Sequence, residues 1–203
     1  MFLLLLLLAV GGQPALATSP ADDYTNKSDL QAHYQKAKFF YNQLNTSSKL
    51  GTERENWIKG AGNFRRIYLA EPKSELAPAC LFMLGRLYYD VFKKFGQGID
   101  LGEAISYYRD VNTLFPGNRL ADDALYAVSQ YHYAKGYYVT AGKLFRNLIE
   151  HYPESNYVEA AQYWSASCYL VADYPDSAMT VWDSFLLTFP DSEFTSWAVL
   201  GCG

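Results

Sequence analysis

The chain has 203 residues, a formal net charge of −4 at neutral pH, and apolar side chains at half of its positions. This apolar content excludes an intrinsically disordered chain. A mild negative charge without a Lys/Arg stripe argues against a nucleic-acid-binding protein. Three cysteines at unrelated spacings fit neither a disulfide framework nor a metal knuckle, so buried single thiols are expected.

The amino terminus has the features of a secretory signal peptide. Leu3–Leu8 is an apolar run that is too short to span a bilayer. Ala15 and Ala17 supply the small residues that a signal peptidase admits at −3 and −1, which predicts cleavage before Thr18.

We therefore expect a signal peptide at 1–17, a flexible linker at 18–28, and a periplasmic or otherwise extracytoplasmic protein. A lipoprotein would need a cysteine at the cleavage point, and the first cysteine is Cys80. No stable membrane anchor is expected.

The first predicted helical hairpin follows the linker. Apolar residues at helical spacing predict its first helix. They are Leu30, Tyr34, Ala37, Tyr41 and Leu44. Thr52-x-x-Glu55 has the form of a capping box and predicts the start of a second helix, which carries Trp57 and Phe64.

From here the sequence repeats itself. Pro116, Pro153 and Pro190 each follow an aromatic residue and lie 37 residues apart, and Pro72 lies 44 residues before the first. A small residue stands twelve positions before each proline and an aromatic residue eight positions before it, on one face of a helix. The pairs are Gly60 and Phe64, Ala104 and Tyr108, Ala141 and Phe145, and Ala178 and Trp182.

Each proline is followed two residues later by a residue that favours helix N-caps. These residues are Ser74, Asn118, Ser155 and Ser192. Proline cannot continue the preceding helix, and the Ser or Asn oxygen can accept a free N–H group of the next one. The pattern predicts four helix junctions with the same structure.

The helix after each junction carries a second pattern. Leu81-x-x-Leu84-Gly85-x-x-Tyr88 is its best copy, and small residues recur at Ser129 and Ala166 in the next two copies. With the alanine, aromatic and proline positions, the pattern resembles that of the tetratricopeptide repeat (TPR) family. The resemblance implies an all-α, TPR-like α-solenoid of four hairpins plus the start of a fifth. The expected hairpins are 29–70, 75–115, 119–151 and 156–189, and a truncated helix is expected at 193–203.

The second hairpin is seven residues longer than the third. Two glycines, Gly96 and Gly98, precede an Asp-x-x-Glu pattern at Asp100 and Glu103. We therefore place the extra residues in a loop between the two helices and expect Asp100 to cap the second one. The last helix ends on apolar residues instead of a polar capping face, so we expect the sequence to be an amino-terminal fragment of a longer protein.

No catalytic site is expected in this chain. Its three histidines lie in different predicted helices, without a metal-ligand spacing. There is no nucleophile elbow and no phosphate-binding glycine loop. Neither a cofactor nor a metal is expected, and the sequence alone leaves open whether the whole protein is an enzyme.

The TPR resemblance implies a binding groove lined by the first helix of each hairpin. Aligning Gly85 with the glycine of the family places the groove positions on three helices. They are Phe82, Arg86 and Tyr89; then Tyr126, Gln130 and Tyr133; then Tyr163, Ser167 and Leu170. Flat rings with polar tips suit a peptide, a partner helix or a glycan chain. Packing of some of these rings between repeats is the alternative.

Three stretches extend the resemblance beyond the general repeat pattern. They are 54–57 (Arg-Glu-Asn-Trp), 63–68 (Asn-Phe-Arg-Arg-Ile-Tyr) and 79–88. Together they are similar to the amino-terminal region of certain exported N-acetylmuramoyl-L-alanine amidases. This resemblance implies a non-catalytic arm of a peptidoglycan amidase whose zinc ligands lie beyond Gly203. The alternative is a stand-alone periplasmic TPR adaptor of the Tol–Pal or outer-membrane-assembly type. In both cases the expected partner is a protein or peptide of the cell envelope, with peptidoglycan as a further candidate.

Overall fold

The structure is a computed structural model that describes residues 27–202, so the predicted signal peptide and the linker residues before Lys27 lie outside the described part. The described residues form nine α-helices, one short 3-10 turn and no β-strand. The helices are α1 (Lys27–Thr46), α2 (Arg54–Ala70), α3 (Ala77–Phe95), α4 (Gly98–Leu114), α5 (Ala121–Ala134), α6 (Tyr138–His151), α7 (Val158–Val171), α8 (Pro175–Thr188) and α9 (Thr195–Cys202).

The helices pack mainly against their neighbours in the chain, as expected for a solenoid of hairpins. The core consists of three clusters of buried apolar side chains that follow one another along the array, because each helix pair buries its apolar face against its neighbours. The small residues of the repeat, Ala104, Ala141 and Ala178, are completely buried. Their aromatic partners are at most 7% exposed. The prediction of an all-α repeat fold is confirmed.

Gly85 shows why the repeat requires a small residue in the first helix of a hairpin. A Cβ atom at this position would lie 2.8 Å from the ring of Tyr108 on α4. Tyr108 is itself 7% exposed and has little room to move. The close approach of α3 and α4 therefore depends on the missing side chain.

The four helix junctions adopt the same type of turn. The predicted N-cap residues lie in these turns, three residues before the helices begin. The next helices begin at Ala77, Ala121, Val158 and Thr195, three residues after each Ser or Asn. The side-chain oxygens of Asn118, Ser155 and Ser192 accept the N–H of the residue two positions later. Ser74 Oγ has no partner among the described residues. The prediction of direct caps was wrong, because these side chains stabilise the turn that leads into the helix.

Helix extension, not a loop, accommodates the seven extra residues of the second hairpin. α3 has 19 residues and α4 has 17, whereas α5 and α6 have 14 each. Only Gly96 and Gln97 separate α3 from α4, and Gly96 adopts the left-handed conformation (φ 76°) that favours glycine. The predicted loop insertion was therefore wrong.

Neither predicted capping box forms. Thr52 ends the 3-10 turn, where its hydroxyl donates to the carbonyl of Lys49, and the N-cap of α2 is Glu53. Asp100 lies inside α4, is 1% exposed, and accepts hydrogen bonds from Arg54 on α2. The sequence pattern at Asp100 reflects an ion pair between helices and not a cap.

Cys80 and Cys168 are buried and free, as expected from their apolar surroundings. Burial raises the pKa of each thiol to about 12, because the interior disfavours the charged thiolate. Such thiols act as small apolar groups of the core.

Ala141→Leu is expected to destabilise the third hairpin. Ala141 is completely buried within the cluster that contains Phe145 and Leu148, so a larger side chain must displace its neighbours. We expect a loss of roughly 1–3 kcal/mol in the free energy of unfolding, measured by urea denaturation. The control Thr140→Leu changes an exposed position of the same helix, and equal losses in both variants would contradict this packing.

Candidate functional site

A cleft of about 570 Å³ opens between the second and third hairpins. Residues of α3 and α5 form its two walls, one residue of α4 contributes to its lining, and Tyr157, just before α7, completes it. The lining residues are Phe82, Arg86, Tyr89, Asp90, Tyr108, Asp123, Tyr126, Ala127 and Tyr157. Four of them belong to the groove that the TPR resemblance implies.

The α3 wall carries Phe82, Arg86 and Tyr89, which are four and three residues apart and share one helix face. The ring of Phe82 packs edge-on against Tyr108, with 5.3 Å between ring centres. Arg86 and Tyr89 are exposed, and Tyr89 keeps 41% of its surface accessible. These two side chains are therefore available to a partner.

Contacts with α1 hold the charged residues of this wall. Tyr41 donates a hydrogen bond of 2.7 Å to Asp90 Oδ2. The guanidinium carbon of Arg86 lies 5.6 Å from the centre of the Tyr41 ring, within the range of a cation–π interaction. Tyr41 thus orients both an acidic and a basic group at the edge of the cleft.

The α5 wall is built around Tyr126. Its ring stacks on Tyr157, with 4.3 Å between centres and 16° between planes, and meets Phe145 edge-on. The Tyr157 hydroxyl donates a hydrogen bond of 2.8 Å to Asp123 Oδ1. Burial, together with this nearby carboxylate, raises the pKa of Tyr157 to about 12, so the hydroxyl stays protonated.

Tyr108 supplies a hydroxyl group that no described residue engages. The residue is 7% exposed and lines the cleft, but its hydroxyl has no hydrogen-bond partner within residues 27–202. Burial is the main cause of its raised pKa. The Asp90 carboxylate raises the pKa further and outweighs the opposite effect of Arg86.

The other predicted groove residues lie outside this cleft. Gln130 donates a hydrogen bond to the Tyr126 hydroxyl, and Ser167 donates one to the Tyr163 carbonyl. Tyr133 packs edge-on against Trp164, and Tyr163 stacks on Phe194. These residues are therefore engaged by contacts within and between repeats, as the packing alternative expects. Leu170, the last predicted groove residue, is exposed.

Comparison of the repeats shows what distinguishes the cleft. The residues at the equivalent positions one repeat later are uncharged, less polar or bulkier. Arg86 corresponds to Gln130, Asp90 to Ala134, Tyr108 to Phe145, Asp123 to Ala160, Ala127 to Trp164 and Tyr157 to Phe194. The charged groups are therefore particular to this junction, and Ala127 leaves open the space in which the next repeat has a tryptophan.

Sequence reasoning missed Asp90, Tyr108, Asp123 and Tyr157, because it assigned the groove from family positions alone. A comparison of the repeats contained the signal: at Asp123, for instance, the preceding and the following copy carry Ala79 and Ala160. Asp123 therefore introduces a carboxylate beside Tyr157 at a position where the neighbouring repeats have an apolar alanine, and this difference indicates a polar site.

Two further properties concern the described residues as a whole. Between residues 27 and 202, His, Cys, Asp and Glu side chains form no group of three or more that could hold a metal ion. None of the helices in this range is long and apolar enough to cross a membrane.

Comparisons with known proteins give one family match. Residues 118–200, less than half of the chain, match the family YfiO, described as an outer membrane lipoprotein. No curated protein matches the sequence.

Among solved structures, one similar chain is a protein described as a putative kinesin light chain of Podosopora anserina with nearly identical TPR-like repeats. It is 11% identical, with a TM-score of 0.46, and the match covers 87% of this chain and 79% of that one. A variant of that protein with one substitution is also 11% identical, with a TM-score of 0.48 and coverages of 86% and 77%. From its own helices and repeat positions, the chain is a TPR-like α-solenoid, and its carboxyl-terminal part is similar to the YfiO family.

Proposed function

We propose that the chain is a scaffold that holds an extended segment of a partner protein in the cleft between its second and third hairpins. The observation that carries the proposal is the cleft itself, where Arg86 and Tyr89 are exposed beside a pocket of tyrosine rings. Tyr and Arg are among the residue types that contribute most to binding energy at protein interfaces.

The dimensions of the cleft favour a peptide segment. About 570 Å³ is enough for a few side chains. The rings of Phe82, Tyr89 and Tyr126 offer apolar contact area, while carboxylate, guanidinium and hydroxyl groups offer hydrogen bonds to a backbone. Such a mixture of aromatic and polar groups is typical of binding surfaces and does not by itself carry out a reaction.

The cell envelope is the proposed location. The family match over residues 118–200 supports it, because that family is described as an outer membrane lipoprotein. The apolar run Leu3–Leu8 and the small residues before Thr18 support export independently. The form of this function that we propose first is a stand-alone periplasmic adaptor, of the Tol–Pal or outer-membrane-assembly type that the TPR resemblance implies.

The amidase arm is the second candidate, and the stretches at 54–57, 63–68 and 79–88 favour it. In that case the same cleft would bind a cell-wall component or a regulatory protein near a peptidoglycan amidase. Sequencing the gene downstream of Gly203 tests the assignment. A zinc-ligand pattern in the same reading frame would support the amidase assignment, and a stop codon directly after Gly203 would refute it.

A binding measurement tests the proposed function directly. Random nonapeptides displayed on phage are selected on the full chain, and the tightest peptide is titrated by fluorescence polarisation. We expect Arg86→Ala and Tyr89→Ala each to weaken binding about tenfold, the effect of losing one interface anchor.

Tyr137→Ala is the matched control for Tyr89→Ala. Tyr137 is 60% exposed and lies in the turn between α5 and α6, away from the cleft lining. The control should bind the peptide like the unmodified chain. Equal affinity in all variants would show that peptides bind elsewhere and would refute the assignment to this cleft.

A further inference from the structure

The charges of the cleft specify its ligand more closely than its shape does. We propose that the cleft accepts the basic side chain of a Lys or Arg residue of the partner segment, held by the carboxylate of Asp123 and the tyrosine rings beside it. This inference rests on the proposed function and adds the chemistry of the residue that is recognised.

The balance of charges in the lining is negative. Asp90 and Asp123 contribute two carboxylates, and Arg86 contributes the one guanidinium of the lining. The Arg86 guanidinium already interacts with the Tyr41 ring on α1. On the opposite wall, no cation of the described residues forms a salt bridge with Asp123, and Tyr157 engages one of its oxygens. Asp123 therefore keeps hydrogen-bonding capacity for a positively charged donor.

Charges just outside the lining place the expected cation on the α5 side. Lys93 lies 5.8 Å from the centre of the Tyr89 ring, so the α3 side already has a second cation. Asp122, next to Asp123 on α5, adds a further negative charge to the opposite side. A ligand cation is thus attracted toward Asp123 and away from Lys93.

The Tyr108 hydroxyl is positioned to contact a ligand. The residue is 7% exposed and lines the cleft, and its oxygen is not one of the fully buried atoms without a hydrogen-bond partner, so it is accessible from the cleft. The hydroxyl oxygen can accept a hydrogen bond from an ammonium or guanidinium group. The tyrosine rings of the cleft add a favourable environment for a cation, because their faces are electron-rich.

The fold itself does not need these polar groups. The next junction has Ala134, Ala160 and Phe145 where this one has Asp90, Asp123 and Tyr108, and it packs without these charged groups. Stacking between Tyr163 and Phe194 there reproduces the contact between Tyr126 and Tyr157 without any carboxylate. The carboxylates are therefore additions to a contact that apolar residues already support.

The test uses the tightest nonapeptide from the phage selection. We expect it to contain Lys or Arg, and we expect replacement of that residue by norleucine, which is similar in length but uncharged, to weaken binding about tenfold. Asp123→Asn keeps an oxygen that can accept the Tyr157 hydrogen bond but removes the charge. This variant should bind the basic peptide about tenfold more weakly and should no longer distinguish it from the norleucine peptide.

The outcomes separate this inference from the proposed function. If peptide binding depends on Arg86 and Tyr89 while the norleucine peptide binds as tightly as the basic one, the scaffold function stands and the basic-residue inference is wrong. The inference is also wrong if Asp123→Asn still discriminates between the two peptides. Urea denaturation of the variant confirms that it is folded before its affinity is compared.

Discussion

Arg54→Ala is expected to lower the free energy of unfolding by roughly 3–5 kcal/mol, because it leaves a buried carboxylate without its partner. Arg54 Nη2 lies 2.6 Å from Asp100 Oδ1, and Nε lies 3.3 Å from Oδ2. The Asp100 side chain is 2% exposed, whereas that of Arg54 is 35% exposed. Urea denaturation followed by circular dichroism measures the loss.

The asymmetry of this pair gives a second expectation. Asp100→Ala should cost less than Arg54→Ala, because the remaining guanidinium can still reach water. The exposed pair between Glu55 and Lys59, 3.2 Å apart on the same helix as Arg54, supplies the control. Glu55→Ala should change stability by at most about 0.5 kcal/mol. A loss for Arg54→Ala as small as that of the control would contradict the buried ion pair.

Gly51→Ala is expected to destabilise the first hairpin by roughly 3 kcal/mol or more, at the upper end of overpacking effects. A Cβ atom at Gly51 would overlap the backbone carbonyl oxygen of Leu44, and backbone cannot move aside as a flexible side chain can. The backbone carbonyl of Gly51 also accepts a hydrogen bond of 2.9 Å from the indole of Trp57. Thermal and urea denaturation measure the change.

Gly62→Ala is the matched control for this substitution. Gly62 lies in α2, and a Cβ atom there would meet no other atom within 4 Å. Alanine is the better helix former, so this variant should be more stable by roughly 0.5–1 kcal/mol. A Gly51→Ala protein as stable as Gly62→Ala would show that the turn before α2 is not packed as described.

The sequence allowed the helical hairpins to be predicted because the repeat determines local structure at each position. Aromatic–proline junctions end helices for a steric reason, and the small residue paired with an aromatic ring marks a helix contact. Details that depend on contacts between helices were mispredicted. Asp100 fits a capping pattern, yet Arg54, 46 residues earlier, determines its role. No local pattern contains that information.

The candidate site was only partly predictable for the same reason. Family positions placed Phe82, Arg86, Tyr89 and Tyr126 together, and the structure brings them into one cleft. The same positions in the next repeat do not form part of it, and there Trp164 replaces the small residue. The groove positions of the family do not indicate which repeat keeps an open space. That depends on the residues that lie between the groove positions in the sequence.

Ala127→Trp should block the cleft, because it places there the residue that the next repeat carries at Trp164. Ala127 is half-buried in the cleft lining, so the indole should fill the space and leave the hairpins folded. The measurement is the affinity of the selected peptide for this variant, with urea denaturation as the folding control. We expect a folded protein whose peptide binding is lost or at least about tenfold weaker. A folded Ala127→Trp protein that binds the peptide with unchanged affinity would contradict the claim that this cleft holds the partner.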